Sequence, residues 1–202
     1  MPTVLESVPV PADFLPPRKK WTRAELDKLE SLGLVDTTGF ELVEGDLLSQ
    51  MGKNRAHVYF VAMLAHWLGT IFDFKRVNPE CPIDVSPEDL PTNQPQPDLV
   101  VQRSTYRELL TKVPNARDVA LVVEVSDSSL AFDLTTKAGL YARAGIVEYW
   151  VVDIQGRRLL SHRQPVNGAY EAVKAYGADE QILPLESPGG ALDLKKIFDP
   201  EA

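Results

Sequence analysis

A chain of 202 residues with a hydrophobic share of 44% and a charged share of 25% has the composition of a soluble globular protein, not of a disordered or fibrous one. One cysteine, Cys81, excludes an internal disulfide and leaves an intracellular, cytoplasmic setting as the expectation, with Cys81 read as an inert thiol. The net charge of −8 argues against a nucleic-acid binder, because binding to phosphate usually draws on a basic surface. A carboxylate metal site adds negative charge that its cation restores, and binding needs one positive face rather than a positive total.

Residues 1–20 are proline-rich, without an apolar run, and read as a loose arm that ends in Arg18, Lys19 and Lys20; residues 21–202 form one domain. No stretch approaches the roughly 18–20 apolar residues a membrane span requires. Thr22 and Glu25 make a capping box, and Leu26, Leu29 and Leu32 follow at helical spacing until Gly33. Phe40–Val43 and Leu47–Gln50 read as a hairpin whose turn takes a positive φ at Gly45. Between Arg55 and Phe74 a long helix is expected, with a stripe of Val58, Val61, Ala62, Ala65, Leu68 and Phe72.

Val77–Val85 is expected as a strand, Ser86–Pro97 as a loop, Leu99–Val101 as a short strand and Tyr106–Leu110 as a brief helix. Val119–Val125, apolar apart from Glu124, suits a central strand covered on both faces. A helix over Leu130–Arg143, stopped by Gly145, leads to a strand over Val147–Ile154, which makes a strand–helix–strand crossover. Strand-like pieces at Arg158–Arg163 and Tyr170–Tyr176 and a helical turn at Leu194–Phe198 complete an α/β chain with a mixed sheet flanked by helices.

Three charges stand where apolar residues are expected. Glu124 interrupts the most buried strand, and a carboxylate there must be protonated, paired or bound to a metal unless it reaches solvent at the strand end. Asp98 stands at the mouth of the Leu99–Val101 strand, where turn chemistry is its ordinary explanation. Lys137 shares a helical stripe with Leu130, Leu134 and Tyr141, and a buried ammonium needs an anion. Its plainer alternatives are a surface pair with Asp133, which lies off that stripe, or a lysine that snorkels past the sheet edge. Glu41, between Phe40 and Leu42, is a fourth candidate. His57 is an accessory one, able to hydrogen-bond a carboxylate or phosphate.

Taken together, Pro97-Asp98, Glu124 and a displaced lysine resemble the PD-(D/E)xK nuclease superfamily. From about Phe40 to Asp153 the chain more closely resembles the Uma-two family of bacterial restriction-endonuclease-like proteins. The landmarks are Phe40-Glu41-Leu42-Val43-Glu44-Gly45, His57, Pro97-Asp98-Leu99-Val100, Val122-Val123-Glu124-Val125-Ser126, Lys137 and the block from Tyr141 to Trp150. Ser126 occupies the place of the superfamily's usual lysine, and in this family the following helix supplies that residue, which matches Lys137.

The resemblance implies a restriction-endonuclease-like fold and a Mg²⁺-dependent endonuclease, with Mn²⁺ able to substitute. Asp98 and Glu124 would then be oxygen ligands of the ion, Lys137 would orient the attacking water or stabilise transition-state charge, and Glu41 would be an outer ligand. The expected partners are nucleic acid, DNA first, and a second copy of the chain. Trp67 is a candidate for that dimer interface, though the core is its ordinary place. Two rival readings stay open: a nuclease-fold binding or assembly module without catalysis, and a hydrolase of some other phosphoester.

Overall fold

The computed structural model describes residues 18–50, 53–105, 107, 110–187 and 189–199. Helix α1 (Arg23–Ser31) opens as its sequence dictates. The Thr22 side chain accepts from the Glu25 N–H, and the Glu25 carboxylate accepts from the Thr22 N–H. Strands β1 (Phe40–Val43) and β2 (Asp46–Ser49) pair antiparallel around a two-residue turn in which Glu44 and Gly45 both take positive φ. Gly45 is required there twice over. Its φ is +76°, and an added Cβ would stand 2.9 Å from the Lys20 side chain. Of the expected arm, only residues 18–20 are described, and Lys20 is tied to Asp46 at 2.7 Å.

Six strands form the main sheet: β3 (Val77–Pro79), β4 (Leu99–Gln102), β5 (Val119–Ser126), β6 (Glu148–Asp153), β7 (Arg158–Val166) and β8 (Ala169–Gly177), in that spatial order. Only β5 and β6 run parallel, and every other neighbour is antiparallel. The crossover between them is helix α3 (130–144), which ends where Gly145 takes φ +81° and caps it. A two-residue-per-strand pair, β9 (Gln181–Ile182) with β10 (Leu192–Asp193), and a terminal turn α4 (Lys195–Phe198) close the fold. Strands as short as β9 and β10 have no period to read.

Helix α2 (Arg55–Phe72) covers one face of the sheet. Its Phe60, Leu64, Leu68 and Phe72 pack with Leu121, Val123, Val125 and Trp150. Helix α3 covers the other, where Ala138 and Tyr141 pack with Val100, Val122, Tyr149 and Val151. The alternation along β5 therefore sends Glu124 toward α3. All eight residues of β5 are buried, so the strand is central, as expected.

Two expectations need correction. The α2 stripe is rotated: Val58 and Ala62 are exposed, and the larger Phe60 and Leu64, one helical step away, take the core face. The expected Val77–Val85 strand ends at Pro79, because Glu80 turns through φ +49° and Ile83 and Asp84 bond to Pro95 and Pro114 rather than to β4. Trp67 packs against the core, stacked on Trp150 at 6.4 Å. The expected 106–110 helix falls mostly outside the described residues, as does the arm before Arg18. No described helix is long and apolar enough to cross a membrane.

Candidate active site

A cleft of about 280 Å³ opens at the end of the sheet, between the β1–β2 hairpin, the start of α2 and the first turns of α3. All five residues singled out from the sequence line it: Glu41 from β1, His57 from α2, Asp98 just before β4, Glu124 from β5 and Lys137 from α3. All five are buried, so the alternative that Glu124 simply reaches solvent at a strand end does not hold.

Lys137 is the hub of one half. Its ammonium lies 2.9 Å from Glu41 Oε1 and 2.9 Å from Glu124 Oε1, and the Tyr141 hydroxyl donates to the same Glu124 oxygen at 2.8 Å. Glu41 is fixed from behind by the Gln96 N–H, which donates to Oε2 at 3.1 Å. Burial acts against the ammonium, but Glu124, Glu41 and Asp133 outweigh it and hold the Lys137 pKa above its usual value. One ammonium cannot serve both glutamates fully. Burial, opposed by Lys137 and reinforced by the charges of Asp98, Asp133 and Glu41, pushes the Glu124 carboxyl up to about 8.

Asp98 is the hub of the other half. Its Oδ2 accepts from His57 Nε2 at 3.0 Å and from the Val125 N–H at 2.8 Å, and its Oδ1 takes Lys53 Nζ at 2.9 Å. Burial alone would raise this carboxyl. The bond and charge of His57, the charge of Lys53 and the Val125 N–H reverse that and bring it down to about 2. Asp98 is thus an anion, so His57 donates through Nε2, and its Nδ1 is buried with no partner among the described residues.

Sequence reasoning missed two members of this cleft. Asp133, set aside as off the stripe, is buried and lines the pocket. The reason is a π turn over Asp133–Lys137, inserted between the α-helical segments Leu130–Phe132 and Ala138–Ala144. The wider turn breaks the 3.6-residue count and leaves Leu134 only half-buried. The Ala138 N–H bonds the Asp133 carbonyl across five residues, and the Tyr149 hydroxyl adds a second bond to that carbonyl at 3.0 Å. The Asp133 carboxylate accepts from the Ser126 and Ser129 hydroxyls at 2.7 and 2.5 Å. Burial raises its pKa, against the pull of Lys137 and the two serines. Ser126 and Ser129, flanking an expected strand–helix join, were the available signal. Lys53 had none: a lysine in a loop is ordinary.

Four buried carboxylates, Glu41, Asp98, Glu124 and Asp133, therefore share the cleft with one buried ammonium, Lys137, and the partly exposed Lys53. Among the described residues no set of three or more His, Cys, Asp or Glu side chains is arranged around a single point to hold an ion. The donor chemistry nevertheless fits a hard dication. Asp98 and Glu124 supply oxygen donors, and the surplus of buried negative charge is what such an ion neutralises. Cys81, outside the cleft and partly buried, has its thiol pKa raised by burial, which disfavours a reactive thiolate.

A mixed sheet covered by α2 and α3, with acidic residues and a helix-borne lysine at its end, defines a restriction-endonuclease-like fold. The sequence matches the Uma2 family, described as "Putative restriction endonuclease", over residues 24–195, and the chain belongs to that family. Among solved structures it is similar to the crystal structure of "a putative nuclease belonging to DUF820" from Anabaena variabilis ATCC 29413. That likeness has a TM-score of 0.61 at 14% identity and covers 84% of this chain and 95% of the other. A comparison with curated proteins returns no match.

Proposed function

We propose that this chain is a divalent-metal-dependent endonuclease that hydrolyses phosphodiester bonds of nucleic acid, DNA foremost, with Mg²⁺ as its ion and Mn²⁺ as a substitute. The observation that carries the reading is the unbalanced cleft: four buried carboxylates share the charged Lys137 and the partly exposed Lys53, and burial beside the other acids raises the Glu124 carboxyl to about 8. A fold spends stability on such an arrangement where chemistry needs it. Membership in a family described as putative restriction endonucleases supports the same conclusion.

Asp98 and Glu124 would hold the ion, which supplies charge neutralisation at the phosphate and a more acidic water. Each protein group then has a task set by its contacts. The Val125 N–H and His57 fix the Asp98 carboxylate at the sheet end. Tyr141 and Lys137 fix Glu124. Lys137, permanently charged, orients the attacking water and stabilises the charge that builds on the phosphate, a contribution of roughly 3–4 kcal/mol for a fixed donor of this kind. Glu41 keeps that ammonium aimed into the cleft. The reading takes residues 21–202 as one domain, working in the cytoplasm as a homodimer that presents one cleft to each strand.

The test is incubation of purified protein with supercoiled plasmid, single-stranded DNA and RNA, with Mg²⁺, with Mn²⁺ and with chelator. Expected is cleavage that needs the ion and falls by at least about a hundredfold in Lys137→Ala and in Glu124→Ala. Cleavage that survives both substitutions belongs to a contaminant. Binding without cleavage under any condition selects the assembly-module reading, which the net charge of −8 favours.

A further inference from the structure

The two oxygens of Asp98 are satisfied by very different means. Oδ2 is held by the framework: the Val125 N–H belongs to β5 and His57 to α2. Oδ1 is held by Lys53, which lies between β2 and Asn54, the residue that caps α2. The lysine's second partner is Glu80, at 2.7 Å, whose side chain is 55% exposed. Removing a cation from a buried carboxylate is costly, so a site that must accept an ion needs something on that oxygen beforehand. A lysine serves this purpose well, because its ammonium is a point charge on a flexible stem and can leave without disturbing the backbone.

We propose that Lys53 is an internal counter-cation for Asp98, which occupies Oδ1 until a divalent ion takes that oxygen, so that ion binding and release of Lys53 are coupled. The inference rests on the reading of Asp98 as an ion ligand. Release leaves the ammonium on the exposed Glu80, which it already touches at 2.7 Å, while Lys53 remains part of the cleft lining. Lys53 thereby lowers the affinity for the ion. It is a positioning and regulatory residue, since it need not touch the reacting phosphate.

Two measurements on the full chain test this. Mn²⁺ binding is followed by the electron-spin-resonance signal of the free ion for wild type, Lys53→Met and Asp98→Asn. Lys53→Met keeps the aliphatic stem, and it should bind Mn²⁺ about tenfold more tightly than wild type, the loss of one charge-assisted contact. Asp98→Asn should bind more weakly. On the wild-type protein, amine acylation read by mass spectrometry should rise at Lys53 when Mn²⁺ is added and stay constant at the exposed Lys28. Equal or weaker binding by Lys53→Met, or Lys53 labelling indifferent to saturating Mn²⁺, overturns the coupling while wild-type binding leaves the nuclease reading intact. Failure of wild type and Lys53→Met alike to bind Mn²⁺ removes the ion site itself, and the inference with it.

Discussion

Two buried carboxylates one strand apart are treated in opposite ways. Glu148, fully buried at the start of β6, has every demand met. Its Oε1 takes Arg163 Nε at 2.9 Å and Nη2 at 2.6 Å together with the Trp150 indole N–H at 2.9 Å, and its Oε2 takes the Leu185 N–H at 2.7 Å. Glu124, in the middle of β5, shares a single ammonium with Glu41 and feels two further carboxylates. The first is a closed ion pair that ties β7 and the segment before β10 to β6. The second is an open account of charge. Burial of an acid is therefore no sign of function by itself; what distinguishes the cleft is that its charges do not cancel.

The contrast can be broken or sharpened by mutation. Glu148→Ala should cost roughly 3–5 kcal/mol in urea unfolding, because it strands a partly buried guanidinium and two N–H donors. Cleavage per folded molecule should be unchanged. A loss of activity larger than the loss of folded protein would show that Glu148 is more than structural. Glu124→Gln should do the reverse, eliminating cleavage while leaving stability at neutral pH equal or higher, since a neutral amide avoids the proton uptake that folding imposes on this carboxyl.

A second, smaller effect separates the two acids by pH. The folded value of Glu124, about 8, lies above its ordinary 4.5, so folding takes up a proton between these limits. Its contribution to stability is complete below pH 4.5 and is lost as the pH rises to about 8. In metal-free buffer the Tm should fall across that window, and Glu124→Gln should flatten the slope. Asp98 has the opposite sign: its pKa, lowered to about 2, supports folding above pH 3.8 and loses that support on acidification toward 2. Smallest of all, Tyr141→Phe removes one hydrogen bond from Glu124 and should cost about 1 kcal/mol in the same unfolding measurement.

The parts of this molecule that were legible beforehand are those where local pattern and burial agree. Thr22 with Glu25, the Gly45 turn, the apolar run of β5 and the Gly145 cap each carry their own physical signature, and Glu124 stood out because it violated one. The α2 stripe was ambiguous because that helix is apolar on more than one side, and only the ring of Phe60 and the bulk of Leu64 decide which side is buried. Lys53 and Glu80 meet Asp98 from separate loops, a long-range encounter that no spacing announces. Glu148 stands inside the Tyr141–Trp150 block that carries the family resemblance, yet its Arg163 partner lies on the neighbouring strand and becomes visible only with the β6–β7 register.

The widened turn in α3 has an evolutionary consequence. An extra residue in a helix is the outcome of a single-codon insertion, and the Tyr149 hydroxyl that bonds the Asp133 carbonyl helps to retain it. Deletion of Thr135 or Thr136 would restore an ordinary α-helical turn, with the Ala138 N–H then bonding the Asp133 carbonyl four residues back. One reading-frame-preserving event thus separates this widened turn from an unbroken amphipathic helix lying on a sheet.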